Sequence, residues 1–262
     1  MAPWEVVAIL VAGVAAGAIN AVVGSGSLIT FPTLLALGYP PIVANVSNNV
    51  GLVAGGVSGV IGYRAELKGQ RDRLVRLGIA SVVGAVAGGL LLMSLPAQAF
   101  QVIVPVLIAI ACVLVVLQQR LNAWLSDRRE TARPHGGIWL WLGILLAGMY
   151  GGYFGAAQGV VLIGLLGIFL DDHIQRINAA KNVLSLLVNA AAAVLFALIA
   201  PVDWWAVLLL SLGSTVGGYL GAGVGRRLSP GSCARSSWSS APWQLSNWCT
   251  DDLPMKWVFT LT

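Results

Sequence analysis

Long apolar runs alternate with short polar breaks along this chain. The runs predict helical segments at about residues 4–24, 43–63, 74–95, 98–118, 138–160, 177–200 and 203–225, with a short apolar piece at 161–170. A run of about 20 apolar residues is long enough to cross a bilayer core of roughly 30 Å. The first run lacks a basic leader and an A-x-A-like cleavage site, which favours a retained helix over a signal peptide. The pattern therefore predicts an all-α, polytopic transmembrane bundle of about seven to eight segments.

Residues 20–49 interrupt the apolar pattern with polar groups and helix breakers. The polar positions are Asn20, Ser25, Ser27, Asn45, Asn48 and Asn49, and the predicted breaks of the helical backbone are Gly24, Gly26 and Pro32. Irregular backbone at membrane depth is tolerated only where protein or a water-filled cavity surrounds it. In transporters, hydrophobic segments interrupted by Gly or Pro mark the binding site. This stretch is therefore predicted to form half of a substrate site, with broken or re-entrant helices.

The sequence repeats this pattern in its second part. GVAAGAINAVVG at 13–24 matches GMYGGYFGAAQG at 148–159, and NVSNN at 45–49 matches NAAKN at 178–182. The repeat predicts a first transmembrane repeat at 1–118, a basic loop at 119–137 and a second repeat at 138–228. Transporter sites lie where such repeats meet. The second half of the site is then Gln158, Asn178, Lys181, Asn182 and Asn189, with a further break at Gly159.

The duplicated polar cluster has the chemistry of an anion site. Asn45 shares a helix face with Asn48 and Asn49 at i+3 and i+4, and Lys181 stands in the equivalent face of the second half. Asn amides donate hydrogen bonds, Lys181 adds positive charge, and N–H groups at broken helix ends favour anions. The alternative is that the amides only join helices and that Lys181 extends to the interface. We expect Lys181→Ala to weaken transport more than folding.

Small residues recur at every fourth position in several segments. Examples are Gly13 and Gly17, Gly84 and Gly88, and the series Gly213, Gly217 and Gly221. Faces of this kind let helix backbones approach closely in a membrane. They predict tight helix packing rather than chemistry.

Composition and charge agree with a membrane protein. The chain is 58% hydrophobic and 10% charged, whereas soluble domains carry about 25% charged residues. The net charge is +5, but the basic residues lie mostly in loops 64–76 and 119–136, which indicates topology rather than nucleic-acid binding. We predict a multi-pass protein of the cell membrane with both loops on the cytoplasmic side. Arg226 and Arg227 fit this topology less well, because single crossings of the last three segments place them outside.

Other functions lack their required residues. No phosphate-binding loop and no clustered Cys or His is present, so we expect no cofactor and no metal site. An intramembrane enzyme with Ser25 or Ser27 as nucleophile would lack a histidine base, and a scaffold would need larger loops. Because no acidic residue lies in mid-membrane, uniport and coupling to a proton or another ion both stay open. The transport direction, the exact substrate and the oligomeric state stay open too.

The two motifs resemble the TauE/SafE sulfite exporter family. The resemblance rests on GAINAVVGSGS at 17–27 with the following FPTLL, on ANVSNN at 44–49 and on its second-half echo, and it covers about residues 5–228. The family often has a Gly-Gly-Gly-x-Gly turn where this chain has Gly24-Ser25-Gly26-Ser27. The resemblance implies two related helical halves that move a small sulfur-containing anion, such as sulfite, sulfoacetate or thiosulfate, by alternating access. Another small organic anion or a neutral solute is the alternative.

Residues 229–262 break the pattern. This polar, Trp- and Ser-rich tail holds four of the ten Trp and no run of about 20 apolar residues, although the repeat calls for a counterpart of segment 98–118. One hypothesis is that a frameshift replaced a last helix. Translation of the coding DNA in its other frames tests this, and the lack of an apolar continuation would contradict it. The alternative is a disordered or interfacial tail with Trp at headgroup level.

Overall fold

The fold is helical throughout the part of the chain that the structure describes. A computed structural model describes residues 2–127, 137–170 and 172–227. Within these ranges it contains no strand, and its helices are α1 (Pro3–Val22), α2 (Ser27–Ala36), α3 (Pro41–Gly62), α4 (Arg71–Ser94), α5 (Ala97–Asp127), α6 (Gly137–Tyr153), α7 (Gln158–Phe169), α8 (Ile174–Ile199) and α9 (Trp204–Arg227). The all-α prediction is confirmed. Residues 1–225 form one compact unit.

The outer surface of this unit suits a bilayer. Helices α1, α4, α8 and α9 are long and apolar enough to cross a membrane, and α2, α6, α7 and part of α5 are shorter apolar helices. Large apolar side chains point outward, among them Val102 at 72% and Leu198 at 78% exposure. Exposed Trp side chains stand in the first turns of α1, α6 and α9, as in the aromatic belts at membrane interfaces. The chain is therefore a membrane protein.

Several predicted boundaries differ from the structure. The run predicted at 138–160 ends at Tyr153, and the short piece predicted at 161–170 begins at Gln158. The reason is a left-handed backbone at Gly155 and Ala157, with φ of 74° and 55°, which a helix cannot continue through. Helix α5 extends to Asp127, into the loop predicted at 119–137. The rest of that loop and the predicted tail at 229–262 lie outside the described residues.

Two predicted helix breaks are wrong. Pro32 lies inside α2, which continues through it to Ala36. Proline removes the backbone hydrogen bond to the carbonyl four residues earlier, and α2 tolerates the loss of this one bond. Gly159 lies in the first turn of α7. The breaks of the backbone are instead the segments 23–26 and 154–157.

Glycine faces join helices of the first part of the chain to helices of the second. A Cβ on Gly84 or Gly88 would overlap backbone atoms of α6, and a Cβ on Gly17 would overlap backbone of α9. Gly152 and Gly217 are equally close to the facing helices α4 and α1. Only glycine permits this approach, so the prediction of close packing through small residues is confirmed. The two-fold relation between the predicted repeats stays a prediction.

Candidate substrate-binding site

Each break lies between two helices: segment 23–26 between α1 and α2, and segment 154–157 between α6 and α7. Gly24 has φ of 89° and its N–H donates to Ile19 O at 2.9 Å; Gly155 has φ of 74° and its N–H donates to Tyr150 O at 3.1 Å. A glycine with positive φ ends helices in this way because it carries no Cβ to clash. The chain then starts α2 and α7, respectively. A glycine with positive φ therefore stands just after the end of α1 and just after the end of α6.

The first break touches the first turn of α7. The Gly159 N–H donates to the Gly24 carbonyl at 3.0 Å. A Cβ on either glycine would overlap the Cα of the other. The pair thus brings the N-terminal ends of α2 and α7 to one place.

A cavity of about 40 Å³ lies beside this contact. One water-sized group needs about 10–15 Å³, so the cavity has room for a few such groups. Glycines of α3 form part of its wall, and its polar lining consists of Asn20, Ser27, Gln158, Asn182, Ser185 and Asn189. No acidic side chain is among the described residues that line it.

Two of the lining groups have no hydrogen-bond partner among the described residues. They are Nε2 of Gln158, a residue that is 3% exposed, and Oγ of Ser185. A buried donor without a partner costs about 1–3 kcal/mol. Both residues line the cavity, so a molecule bound there lies close to two side chains whose hydrogen-bonding groups the fold does not use among the described residues.

Lys181 lies behind the cavity wall and does not line it. Its side chain is fully buried, and its Nζ donates to the carbonyls of Asn20 at 2.8 Å and Ala21 at 3.4 Å. These carbonyls belong to the last turn of α1, where the helix dipole is negative and a cation is favoured. The ammonium therefore stabilises the end of α1, one residue layer away from the cavity.

The neighbouring amides of α8 bind the same helix end. Nδ2 of Asn182 donates to Ala21 O at 3.1 Å, and Nδ2 of Asn178 donates to Ala21 O at 3.3 Å and to the Tyr63 hydroxyl at 2.9 Å. Asn182 also lines the cavity, whereas Asn178 does not. Asn178, Lys181 and Asn182 of α8 thus all bind the end of α1, just before the break at 23–26.

Of the three asparagines on α3, Asn45 likewise binds the end of a helix that precedes a break. Nδ2 of Asn45 donates to the carbonyl of Tyr153, the last residue of α6, at 3.0 Å. Asn48 accepts a hydrogen bond from the Thr30 hydroxyl of α2. Asn49 is buried, and its Oδ1 has no partner among the described atoms. None of these three asparagines lines the cavity; Asn45 binds the end of α6 and Asn48 binds the short helix α2.

The structure therefore divides the predicted site residues into two groups. Those at the cavity are Asn20, Gly24, Ser27, Gln158, Gly159, Asn182 and Asn189, and those packed behind it are Ser25, Gly26, Asn45, Asn48, Asn49, Asn178 and Lys181. Asn20 has a second role, because its Oδ1 accepts the Gly26 N–H at 2.7 Å. Ser185 was missed. Its spacing from Asn182 and Asn189, three and four positions, already placed it on their helix face.

A charged cluster lies away from the cavity, where α4 and α8 begin. Asp172 pairs with Arg73 of α4 and Arg176 of α8, both at 2.7 Å. Burial alone raises the pKa of Asp172, but hydrogen bonds from Arg73 and from the His173 N–H, with the two guanidinium charges, hold that pKa below its usual value. Arg176 also donates to the carbonyl of Lys68 at 3.0 Å. The cluster ties the loop between α3 and α4 to α8.

Comparison with known proteins agrees with these features. The family model described as "Sulfite exporter TauE/SafE" matches residues 9–235, which confirms the resemblance seen in the motifs. The chain is 28% identical over 225 residues to "Probable membrane transporter protein YfcA" of Escherichia coli strain K12. This alignment covers 81% of the chain and 76% of that protein. No solved structure matches the chain significantly.

Two further relatives carry similar names. A "Probable membrane transporter protein" of Haemophilus influenzae is 28% identical over 214 residues, with 80% of this chain and 81% of that protein covered. The "Probable membrane transporter protein ORF9" of Sinorhizobium sp. is 29% identical over 227 residues, with 84% and 81% covered.

Proposed function

Since the chain belongs to the TauE/SafE family of membrane transporters, we propose that it carries a small sulfur-containing anion, such as sulfite, sulfoacetate or thiosulfate, across the membrane. The cavity beside the contact between Gly24 and Gly159 is the proposed binding site. The observation that carries the proposal is that two residues lining this cavity, Gln158 and Ser185, each have a polar group, Nε2 and Oγ, without a partner among the described residues. A bound oxyanion would accept hydrogen bonds from both.

The charge around the cavity supports an anion over a neutral solute. The first turns of α2 and α7 contribute Ser27, Gln158 and Gly159 to the lining, so the positive ends of two helix dipoles face it. Transporters use the N-termini of half-helices in this way for anionic groups. Lys181 adds a positive charge when it is protonated, and its Nζ lies 2.8 Å from the carbonyl of the lining residue Asn20.

The size of the cavity supports a compact substrate. Its volume of about 40 Å³ suits the few heavy atoms of sulfite better than the longer sulfoacetate. The proposed mechanism is alternating access, in which the site is exposed to one side of the membrane at a time. Because many glycine contacts join the two parts of the chain, we expect the short helices α2 and α7 to move more than the long ones.

Transport by the purified protein tests this function. Proteoliposomes with the protein should take up sulfur-labelled sulfite faster than empty liposomes, with competition from unlabelled sulfite and not from chloride. Gln158→Leu should remove most of this uptake, and Ser94→Ala, at an exposed position of α4, should leave it unchanged. Uptake that an uncharged solute inhibits as well as sulfite does would favour the neutral-solute alternative. Equal uptake by the Gln158 variant would remove the cavity from the mechanism.

We also propose that the protein lies in the cell membrane with loop 64–76 in the cytoplasm. Lys68 is exposed in that loop, and the excess of Lys and Arg there supports the orientation. A Lys68→Cys variant without the native cysteines should react with a membrane-impermeant maleimide in inside-out vesicles and not in intact cells. Labelling in intact cells would reverse the proposed topology.

A further inference from the structure

Lys181 is a buried lysine without an anionic partner among the described residues. Its side chain is fully buried, and both ion pairs among the described residues involve Asp172. The carbonyls of Asn20 and Ala21 are its hydrogen-bond partners. A buried charge normally requires a paired group of opposite sign, because burial disfavours an isolated ion strongly.

The helices packed around Lys181 supply no such group. Helix α8 packs against α1, α3, α4, α6 and α7. Helices α3 and α7 contain no charged residue, and α6 contributes only the phenols Tyr150 and Tyr153. Tyr63, next to α3, bonds to Asn178. The other charged residues lie near helix starts: Glu5 in the first turn of α1; Arg71, Asp72, Arg73 and Arg76 in the first turns of α4; and Arg176 on α8 itself.

The cavity is the place where a counter-charge can sit. Asn20, Ala21 and Asn182 all line it, and two of these residues provide the carbonyls that hold the Lys181 ammonium. An anion in the cavity would therefore lie just beyond this layer of contacts. An opposite charge within about 4–6 Å favours the charged form of a side chain, and the ammonium in turn favours the anion.

We propose that anion binding in the cavity and protonation of Lys181 are linked, so that the protein carries one proton with each anion. The inference rests on the proposed function, and it identifies the proton as the ion that is transported together with the anion. On the entry side the Lys181 amine takes a proton from hydronium and leaves water. On the exit side the anion departs and the ammonium returns its proton to water. No group other than water and this side chain is needed.

A permanently charged Lys181 that only caps α1 is the competing explanation, and two variants separate it from the proposal. Lys181→Arg keeps a cation at the end of α1 but cannot lose its proton in a protein. Lys181→Gln removes the charge and keeps hydrogen-bond donors. If anion binding is linked to protonation, the Lys181→Arg variant should bind the anion at every pH and the Lys181→Gln variant should bind it weakly at every pH. If Lys181 only caps α1, anion affinity should depend on pH in the same way in wild type and in Lys181→Arg.

The experiment measures thiosulfate binding to the full chain in lipid nanodiscs by calorimetry, between pH 6 and 9. Thiosulfate and sulfate carry no titrating proton in this range, so any proton taken up belongs to the protein. For wild type we expect affinity to fall by up to tenfold per pH unit at the upper end, with close to one proton taken up per anion, as judged from buffers of different ionisation enthalpy. Lys181→Arg should lose both effects.

The possible results separate a failure of the proton coupling from a failure of the proposed anion transport. Binding without proton uptake, or an unchanged pH dependence in Lys181→Arg, would overturn the linkage and leave the anion site standing. No binding of thiosulfate, sulfate or sulfite at any pH would overturn the proposed function, and the linkage with it. If Lys181→Arg does not fold, wild-type proteoliposomes decide: an imposed pH gradient should drive thiosulfate accumulation, and a lack of any effect would refute the coupling.

Discussion

Gln158 and Ser185 come from different helices, α7 and α8, and both line one cavity. Each has a hydrogen-bonding group without a partner among the described residues. Neither group contributes a hydrogen bond to the fold among the described residues. Their removal should therefore affect ligand binding more than stability. This separates them from Asn45, Asn178 and Lys181, whose side chains hold the backbone ends of α6 and α1.

The first prediction concerns these two residues. Ser185→Ala and Gln158→Leu should each lower the rate of anion uptake by roughly tenfold or more, because a substrate oxygen left without its partner costs about 1–3 kcal/mol. The melting temperature in detergent should stay close to that of wild type. Ser94→Ala is the control for the loss of a hydroxyl, because Ser94 is exposed and bonds only to its own helix. A drop in melting temperature that matches the loss of uptake would assign both residues to the fold.

The second prediction concerns the contact between Gly24 and Gly159. Gly24→Ala should destabilise the protein by several kcal/mol, because Ala is disfavoured at φ of 89° and its Cβ would overlap Gly159. Gly38→Ala is the matched control. Its φ is 85°, but nothing lies within 4 Å of the added Cβ, so it carries the backbone cost alone, about 1–3 kcal/mol. Thermal unfolding of the two variants measures the difference, and equal losses would show that the contact contributes nothing.

At the scale of helices, α4 and α6 are joined by close backbone contact at their glycines as well as by buried side chains. Helix α4 meets α6 at Gly88, Met149 and Gly152, where a single added methyl group reaches the facing backbone. In lipid, close packing of this kind replaces the hydrophobic effect as the force between helices. The glycine faces are therefore the main source of specificity in the packing of these helices.

The third prediction tests this contact. Gly88→Ala should lower the melting temperature, because the new Cβ would collide with the Met149 carbonyl. Gly223→Ala in α9 makes the same chemical change where nothing lies within 4 Å, and alanine is the better helix former by about 1 kcal/mol. That variant should be as stable as wild type or more so. Similar melting temperatures for the two variants would show that the α4–α6 approach is looser than the structure has it.

The sequence predicted the positions of most helices closely, but it located the breaks between helices only in part. Apolar runs and small-residue faces are local properties, so they identify α3, α4, α8 and α9 from sequence alone. The end of α6 was misplaced because Ala157 adopts a left-handed conformation that its residue type does not signal. Pro32 looked like a break, yet α2 continues through it.

At the scale of the whole molecule, the ends of α4 and α8 are connected by charge. Asp172 bridges Arg73 and Arg176, residues that are far apart in the sequence. The three side chains are partly buried, and ion pairs with charge-assisted hydrogen bonds are stronger there than at an open surface. The cluster therefore connects the two predicted repeats at a point away from the cavity.

The fourth prediction is a pH dependence of stability. The pKa of Asp172 is lowered in the folded protein, so its carboxylate stabilises the fold above the unfolded-state value of about 3.9, and this contribution is lost as pH falls through the lower folded-state value. Asp172→Asn should be less stable than wild type at pH 7, and the two melting temperatures should converge below about pH 4. Asp72→Asn is the control, because Asp72 is exposed and forms no ion pair among the described residues. A gap that persists at low pH would refute the charge argument.

The sequence by itself determined that this is a helical membrane protein of the TauE/SafE family, because hydropathy and short motifs are properties of neighbouring residues. It also identified most of the cavity's polar lining, from Asn20 to Asn189. Only the tertiary structure separated Gln158 and Ser185, which line the cavity, from Asn45 and Lys181, which bind helix ends. The physical reason is that an amide or ammonium can serve a ligand or a backbone carbonyl equally well, and the distance between helices decides which of the two it reaches.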